Sequence, residues 1–101
     1  ADSWWVAGAG WCFFDMGNYE EAVAIFKKCL NVSPKHAATR AYLAASYIML
    51  GREDEARAEA GEVLKLDPKF SVEARRKMSL YKNPQDRDRA YDAMLKAGLP
   101  E

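Results

Sequence analysis

Apolar side chains recur at helical intervals along the chain. Ala22, Val23, Phe26 and Leu30 form one stripe, and Ala56, Ala60, Val63 and Leu64 form another. No stretch sustains a period of two, so no sheet is expected. The stripes are punctuated by start and stop signals. Gly17 and Gly51 are natural C-terminal stops, because glycine accepts a left-handed backbone. Ser33-Pro34, Asp67-Pro68 and Asn83-Pro84 each offer a side-chain acceptor at an N-cap and a proline at the first helical position. Asn18 with Glu21 three residues on has the form of a capping box. The pattern predicts six helices, at about 3–16, 19–31, 35–50, 53–66, 70–81 and 85–97.

The chain also repeats itself. Shifted by 34 positions, Ala7 meets Ala41, Gly17 meets Gly51, Glu21 meets Glu55 and Ala22 meets Ala56. Ala24 meets Ala58, Leu30 meets Leu64, Pro34 meets Pro68 and Lys35 meets Lys69. Chance gives roughly two or three such identities over one period of this composition. Similar pairs extend the match: Phe13 with Tyr47, Met16 with Leu50, Glu20 with Asp54, Cys29 with Val63 and Val32 with Leu66. A third, incomplete copy begins after Pro68, and Tyr81 continues the Phe13–Tyr47 series. Each copy reads as a helix pair. The first helix carries a small residue midway, Gly10 or Ala44, that permits close approach of its neighbour. A single pair cannot bury its apolar face, so the pairs are expected to stack.

Those residues carry a resemblance to the tetratricopeptide repeat, a helix-turn-helix unit of the same period. The first copy supplies Val6, Ala9-Gly10, Phe13, Ala22, Phe26 and Pro34. The second supplies Arg40, Leu43-Ala44, Tyr47, Ala56, Ala60 and Pro68, and the third supplies Ala74 and Tyr81. The departures are the absent tryptophan in the first large-residue slot and Ala60 where phenylalanine is usual. The resemblance implies one all-α domain over residues 1–101, a right-handed solenoid. Its parts would be repeats at about 3–36 and 37–70, an incomplete third at about 71–82 and a C-terminal capping helix at about 84–98.

Between Pro84 and Gly98, the residues Ala90, Tyr91, Met94 and Leu95 form one apolar stripe. Asp86, Arg87, Asp88, Arg89, Asp92 and Lys96 cover the remaining face. A helix of that kind suits the end of a stack. The stretch from Asn83 to Glu101 also resembles the close of the repeat region in bacterial class III adenylate/guanylate cyclase-like proteins. That similarity implies a bacterial parent with an enzyme domain upstream in the polypeptide.

Composition narrows the function. The chain has 101 residues, half of them apolar, and its 15 basic and 15 acidic side chains cancel. A sequence-independent nucleic-acid binder needs surplus positive charge, which is absent. No apolar run approaches the roughly 20 residues of a membrane span. Cys12 and Cys29 have no Cys or His neighbours at metal-ligand spacing and read as small apolar side chains in a reducing, cytoplasmic setting. Catalysis needs a nucleophile or a titratable pair in one pocket. The single histidine, His36, reads as a surface imidazole at a helix start. Glu53, Asp54, Glu55 and Glu59 crowd another helix start, where they complement the helix dipole. The expectation is a chain with no enzymatic activity of its own, no cofactor and no metal.

The Arg75-Arg76-Lys77 cluster reads either as a solvated face or as a contact for an acidic partner. The first helix is odd in another way. Trp4, Trp5, Val6, Trp11, Phe13 and Phe14 place apolar side chains on all its faces. A preceding repeat, a second copy of the chain or a partner segment should cover it. By the resemblance, the first helices of the pairs line a concave face that binds peptides or partner helices. That face would carry Trp4, Trp11, Phe14, Asp15, Ala38, Ala41, Tyr42, Ala45, Met49, Val72, Arg75 and Arg76. Its alanines would leave the middle of the groove shallow and open. Chaperone-binding members of the family grip a C-terminal carboxylate with a basic and an amide side chain. Ala7 and Trp11 stand in two of those slots, so an apolar, helical segment is the expected ligand. The function expected is protein–protein interaction as part of a larger protein. The alternative is cis-regulation of a bacterial signalling enzyme such as a nucleotide cyclase.

Overall fold

The computed structural model describes residues 2–78 and 84–101, with side chains from residue 9 onward. The chain order is α1 (Asp2–Asp15), α2 (Tyr19–Val32), α3 (Ala37–Met49), α4 (Glu53–Leu66), α5 (Val72–Lys77) and α6 (Pro84–Lys96). There is no strand among the described residues. Asn83 and Tyr81 lie outside them.

The helix stops fall where the glycines place them. Gly17 and Gly51 adopt φ of +82° and +77°. In that left-handed conformation the following amide turns back on its own helix. Asn18 N–H donates to Phe13 C=O at 2.8 Å, and Arg52 N–H donates to Tyr47 C=O at 2.8 Å. The two loops are therefore equivalent, one period apart. The starts of α2 and α4 fall at 19 and 53 as expected, but those of α3 and α5 differ. Pro34 and Pro68 are not first helical residues. Each is the second residue of a tight turn, closed by His36 N–H on Ser33 C=O at 3.2 Å and by Phe70 N–H on Asp67 C=O at 3.0 Å. Proline suits that turn position as well as it suits a helix start, which is why the signature misplaced both boundaries. The caps are His36, which accepts from Thr39 N–H at 3.3 Å, and Ser71, which accepts from Ala74 N–H at 3.2 Å. Asn18 makes no side-chain cap bond, so the capping box does not form. In α6 the proline is the first helical residue, as expected.

The two helix pairs pack as α1 on α2 and α3 on α4, and α2 joins the pairs through α3. Their shared core holds Phe14, Ala22, Phe26, Leu43, Ala44, Ala56, Ala60 and Val63, all almost free of solvent. Burying a Phe or Leu side chain contributes roughly 1.5–3 kcal/mol, so Phe14, Phe26 and Leu43 each stabilise the seam by about that much. Arg40, in a slot the family gives to a large residue, spans α3 and α4 by pairing with Glu59 at 2.9 Å. It also donates to Pro34 C=O at 3.1 Å.

α6 closes the array from its inner side. It packs on α3 and α5. The molecule measures 30 × 29 × 27 Å along its principal axes, so the last helix folds back over the repeats without extending them. α3 thus meets α1, α2, α4 and α6, and its run from Thr39 to Tyr47 is buried with Arg40 half-buried. Of the aliphatic hydroxyls in that run, Ser46 donates to Tyr42 C=O at 2.9 Å and Thr39 pairs with His36 Nδ1.

Candidate partner-binding surface

Helical spacing puts Trp11, Phe14 and Asp15 on one side of α1, and Ala38, Ala41, Tyr42, Ala45 and Met49 on one side of α3. Tyr42 is the hub. Its ring centroid lies 5.4 Å from Trp11, 6.1 Å from Phe14, 6.0 Å from Phe26 and 6.5 Å from Tyr91. Separations of this order suit tilted and edge-on aromatic packing, worth about 0.5–1.5 kcal/mol per pair beyond area burial. Phe14 also meets Tyr19 edge-on at 5.2 Å, which pins the α1–α2 loop to the cluster.

The middle of this face is covered, not open. Phe14, Ala41, Tyr42 and Ala45 are all buried. The small alanines that suggested a shallow groove instead let α6 approach α3 closely. Ala90, Tyr91, Ala93 and Met94 of α6 are buried in return. The edges remain accessible. Trp11 is 38% exposed and Met49 39%. Ala38 and Asp15 are half-buried. The side chain of Trp4 lies outside the described residues.

The basic cluster on α5 does not face outward as a unit. Arg76 is the centre of an ion-pair network, 2.6 Å from Asp88, 3.0 Å from Asp92 and 3.3 Å from Glu73. Its guanidinium also lies over the Tyr91 ring at 5.8 Å. These carboxylates push the Arg76 pKa further up, and Arg76 in turn holds the Asp88 carboxyl below its usual range. Arg75 lies over the Phe70 ring at 4.8 Å, and Val72 is fully buried. Arg76 is thus engaged with carboxylates of its own chain, while Arg75 is half-buried over Phe70.

The residues that sequence reasoning passed over are on α6. Tyr91 and Met94 were legible as an apolar stripe but not as the cover of α3. Arg89, whose Nη1 lies 3.5 Å from Asp15 C=O and 3.2 Å from Asp86, sets a cation at the C-terminal end of α1. Nothing in the repeat pattern locates that contact, because α6 lies outside the period. The tail after α6 is tied to α5. Val72 N–H donates to Pro100 C=O at 2.9 Å and Glu73 N–H donates to Glu101 C=O at 3.1 Å, while the Ser71 hydroxyl bonds to Glu101 C=O as well. Two of the open amides at the start of α5 are satisfied this way.

Among the described residues no helix is long and apolar enough to cross a membrane, and no three His, Cys, Asp or Glu side chains are grouped to hold a metal.

Comparison with known proteins agrees with the helix pairs. The chain is 36% identical over 81 residues to the TPR repeat-containing thioredoxin TTL4 of Arabidopsis thaliana, covering 80% of this chain and 12% of that protein. It is 35% identical over 65 residues to the inactive TPR repeat-containing thioredoxin TTL3 of the same plant, covering 64% of this chain and 9% of that protein. Neither name is that of a cyclase, and neither protein is bacterial. The tetratricopeptide repeat pattern itself matches residues 13–81, which run from the end of α1 through α2, α3, α4 and α5 and stop short of α6. With the period, the paired helices and this match in agreement, the chain belongs to the tetratricopeptide repeat family, whose domains are in general non-catalytic protein-interaction modules.

Proposed function

We propose that this chain is the protein-binding part of a larger polypeptide and that it holds an apolar, helical partner segment along the inner face of α1 and α3. The observation that carries the reading is the aromatic cluster around Tyr42. It is a rigid set of rings whose outer member, Trp11, remains more than one third exposed beside the open edge of the face. Tryptophan in such a setting is the residue type that most often anchors an interface. Met49 at the other end of α3 supplies a flexible apolar contact. Trp4, seven positions and about two turns before Trp11 in the same helix, joins the proposed surface by spacing. Ala38 and Asp15 complete it.

The test is a selection of helical peptides from a displayed library against the intact chain, with binding read by tryptophan fluorescence. The expected result is saturable binding that weakens about tenfold or more with Trp11→Ala and with Met49→Asp, a loss typical of an interface anchor. Binding that ignores both substitutions, or no selectable binder, would overturn the reading.

A role in cis is the second reading, in which the repeats serve another domain of the same polypeptide. One observation favours it: both relatives carry such repeats in chains of which this one spans about a tenth, and both are named for a second kind of domain. Association of two copies through Trp4 and Trp11 is a third use of the same surface. It predicts a solution mass that rises with concentration and falls back to about one chain when both become alanine.

A further inference from the structure

The inner face of α3 already holds a helix. α6 lies there with Tyr91 against Tyr42 and Arg89 at the end of α1, yet it falls outside the residues that match the repeat. Its ties divide into two groups. Those to α5 are polar and numerous: Arg76 with Asp88 and Asp92, and the tail carbonyls on the amides of Val72 and Glu73. Those to the repeats run through α3, with Tyr91 beside Tyr42 and Arg89 reaching Asp15 C=O at the end of α1. α5 in turn packs chiefly on α6. α5, α6 and the tail at 97–101 are therefore bonded to one another, and α6 buries Ala90, Tyr91, Ala93 and Met94 where it packs on α3; together they form an arm. The turn at Asp67–Phe70 joins it to α4.

We infer that this arm is a resident occupant of the partner-binding face, and that the partner is an amphipathic helix with the chemistry of α6. That chemistry is a basic residue for the C-terminal carbonyls of α1, an aromatic residue two positions on for Tyr42, and a methionine or leucine three positions after that for the alanine floor of α3. The inference rests on the proposed binding face. The spacing is read from Arg89 at the end of α1, Tyr91 beside Tyr42 and the buried Met94 of the same helix. The charge requirement comes from the helix end and Asp15, which favour a cation. Because the arm must lift first, the apparent affinity for any partner falls by the fraction of molecules that are open.

The experiment uses the intact chain. Native-state hydrogen exchange should show α6 amides opening while α3 and α4 stay protected, with exchange at least about tenfold faster in α6. A dye-labelled peptide of residues 84–99 should bind the Tyr91→Ala chain about tenfold or more tightly than the unmodified chain, because the resident helix is weakened. Arg89→Glu in the peptide should weaken that binding by a similar factor. A single exchange rate shared by α3, α4 and α6 would overturn the inference. So would equal peptide binding to both chains, or a Tyr91→Ala chain that no longer folds, since α6 would then be part of the fold's minimum. If selected peptides bind along Trp11 and Met49 while α6 stays shut, the protein-binding reading survives and this one does not.

Discussion

Gly10 sits against the face of Phe26 so closely that a Cβ added to it would lie 2.5 Å from Cε1 and 2.8 Å from Cδ1 of the ring. The Phe26 ring cannot retreat, because it is fully buried and packed 6.0 Å from Tyr42. Two effects oppose each other in Gly10→Ala. Helix propensity favours alanine by about 1 kcal/mol, while forced overpacking costs typically about 1–3 kcal/mol. Sterics should win, and the thermal midpoint by circular dichroism should fall. A midpoint that rises would mean the ring has room to move.

The second repeat solves the same contact with other sizes. Ala44 stands one period after Gly10, and Ala60 one period after Phe26, both buried. Ala60→Phe alone should destabilise by about 1–3 kcal/mol through overpacking. Combined with Ala44→Gly it should recover part of that loss, so the two effects will not add. Denaturant titration of the four chains in the cycle gives the coupling directly.

Two exposed glycines should respond with opposite signs. Gly51 holds φ of +77° with nothing within 4 Å of a new Cβ, so Gly51→Ala meets backbone strain alone and should cost about 1 kcal/mol. Gly61 also has open space but lies inside α4 without a positive φ. Gly61→Ala should therefore stabilise by roughly 0.5–1 kcal/mol. Equal effects at the two sites would contradict the helix boundaries.

Acid should loosen the arm before it unfolds the repeats. The hydrogen bond from Arg76, then that from Arg87, hold the Asp88 carboxyl below its usual range. A group depressed in the folded state contributes above its unfolded pKa, about 3.9 for aspartate, and loses that contribution as pH falls through the folded value. Exchange of α6 amides should accelerate relative to those of α3 below roughly pH 4. In Asp88→Asn that dependence should be shallower. An unchanged profile would assign the pairing no role in seating α6.

The cysteines separate surface from core. Cys12 is exposed, whereas Cys29 is buried and its thiol is pushed up by burial. Iodoacetamide at pH 8 should modify Cys12 promptly and Cys29 at a rate set by unfolding. Mass spectrometry of the time course distinguishes the two, and comparable rates would mean that α2 opens on its own.

Much of the fold was legible because the period and the glycine stops are local facts. A left-handed residue ends a helix wherever it falls, and Gly17 and Gly51 do so one period apart. The starts were less legible because Ser33-Pro34 and Asp67-Pro68 satisfy a turn as well as a cap, and only the packed structure selects between them. The inner face was half legible. Spacing put Trp11, Phe14, Tyr42 and the alanines on it, but the same alanines fit both an empty groove and one filled by a close helix. What lies over Tyr42 depends on a contact between residues nearly fifty positions apart, outside the repeat, and pattern reading has no purchase there.

The position of α6 bears on how the chain is made. Synthesis delivers α3 well before α6, so the nascent protein displays Tyr42 and the alanine stripe until α6 has emerged. During that interval the face is available to whatever binds first, chaperone or partner. A premature stop before Pro84 would make the exposure permanent and direct such products toward aggregation or degradation.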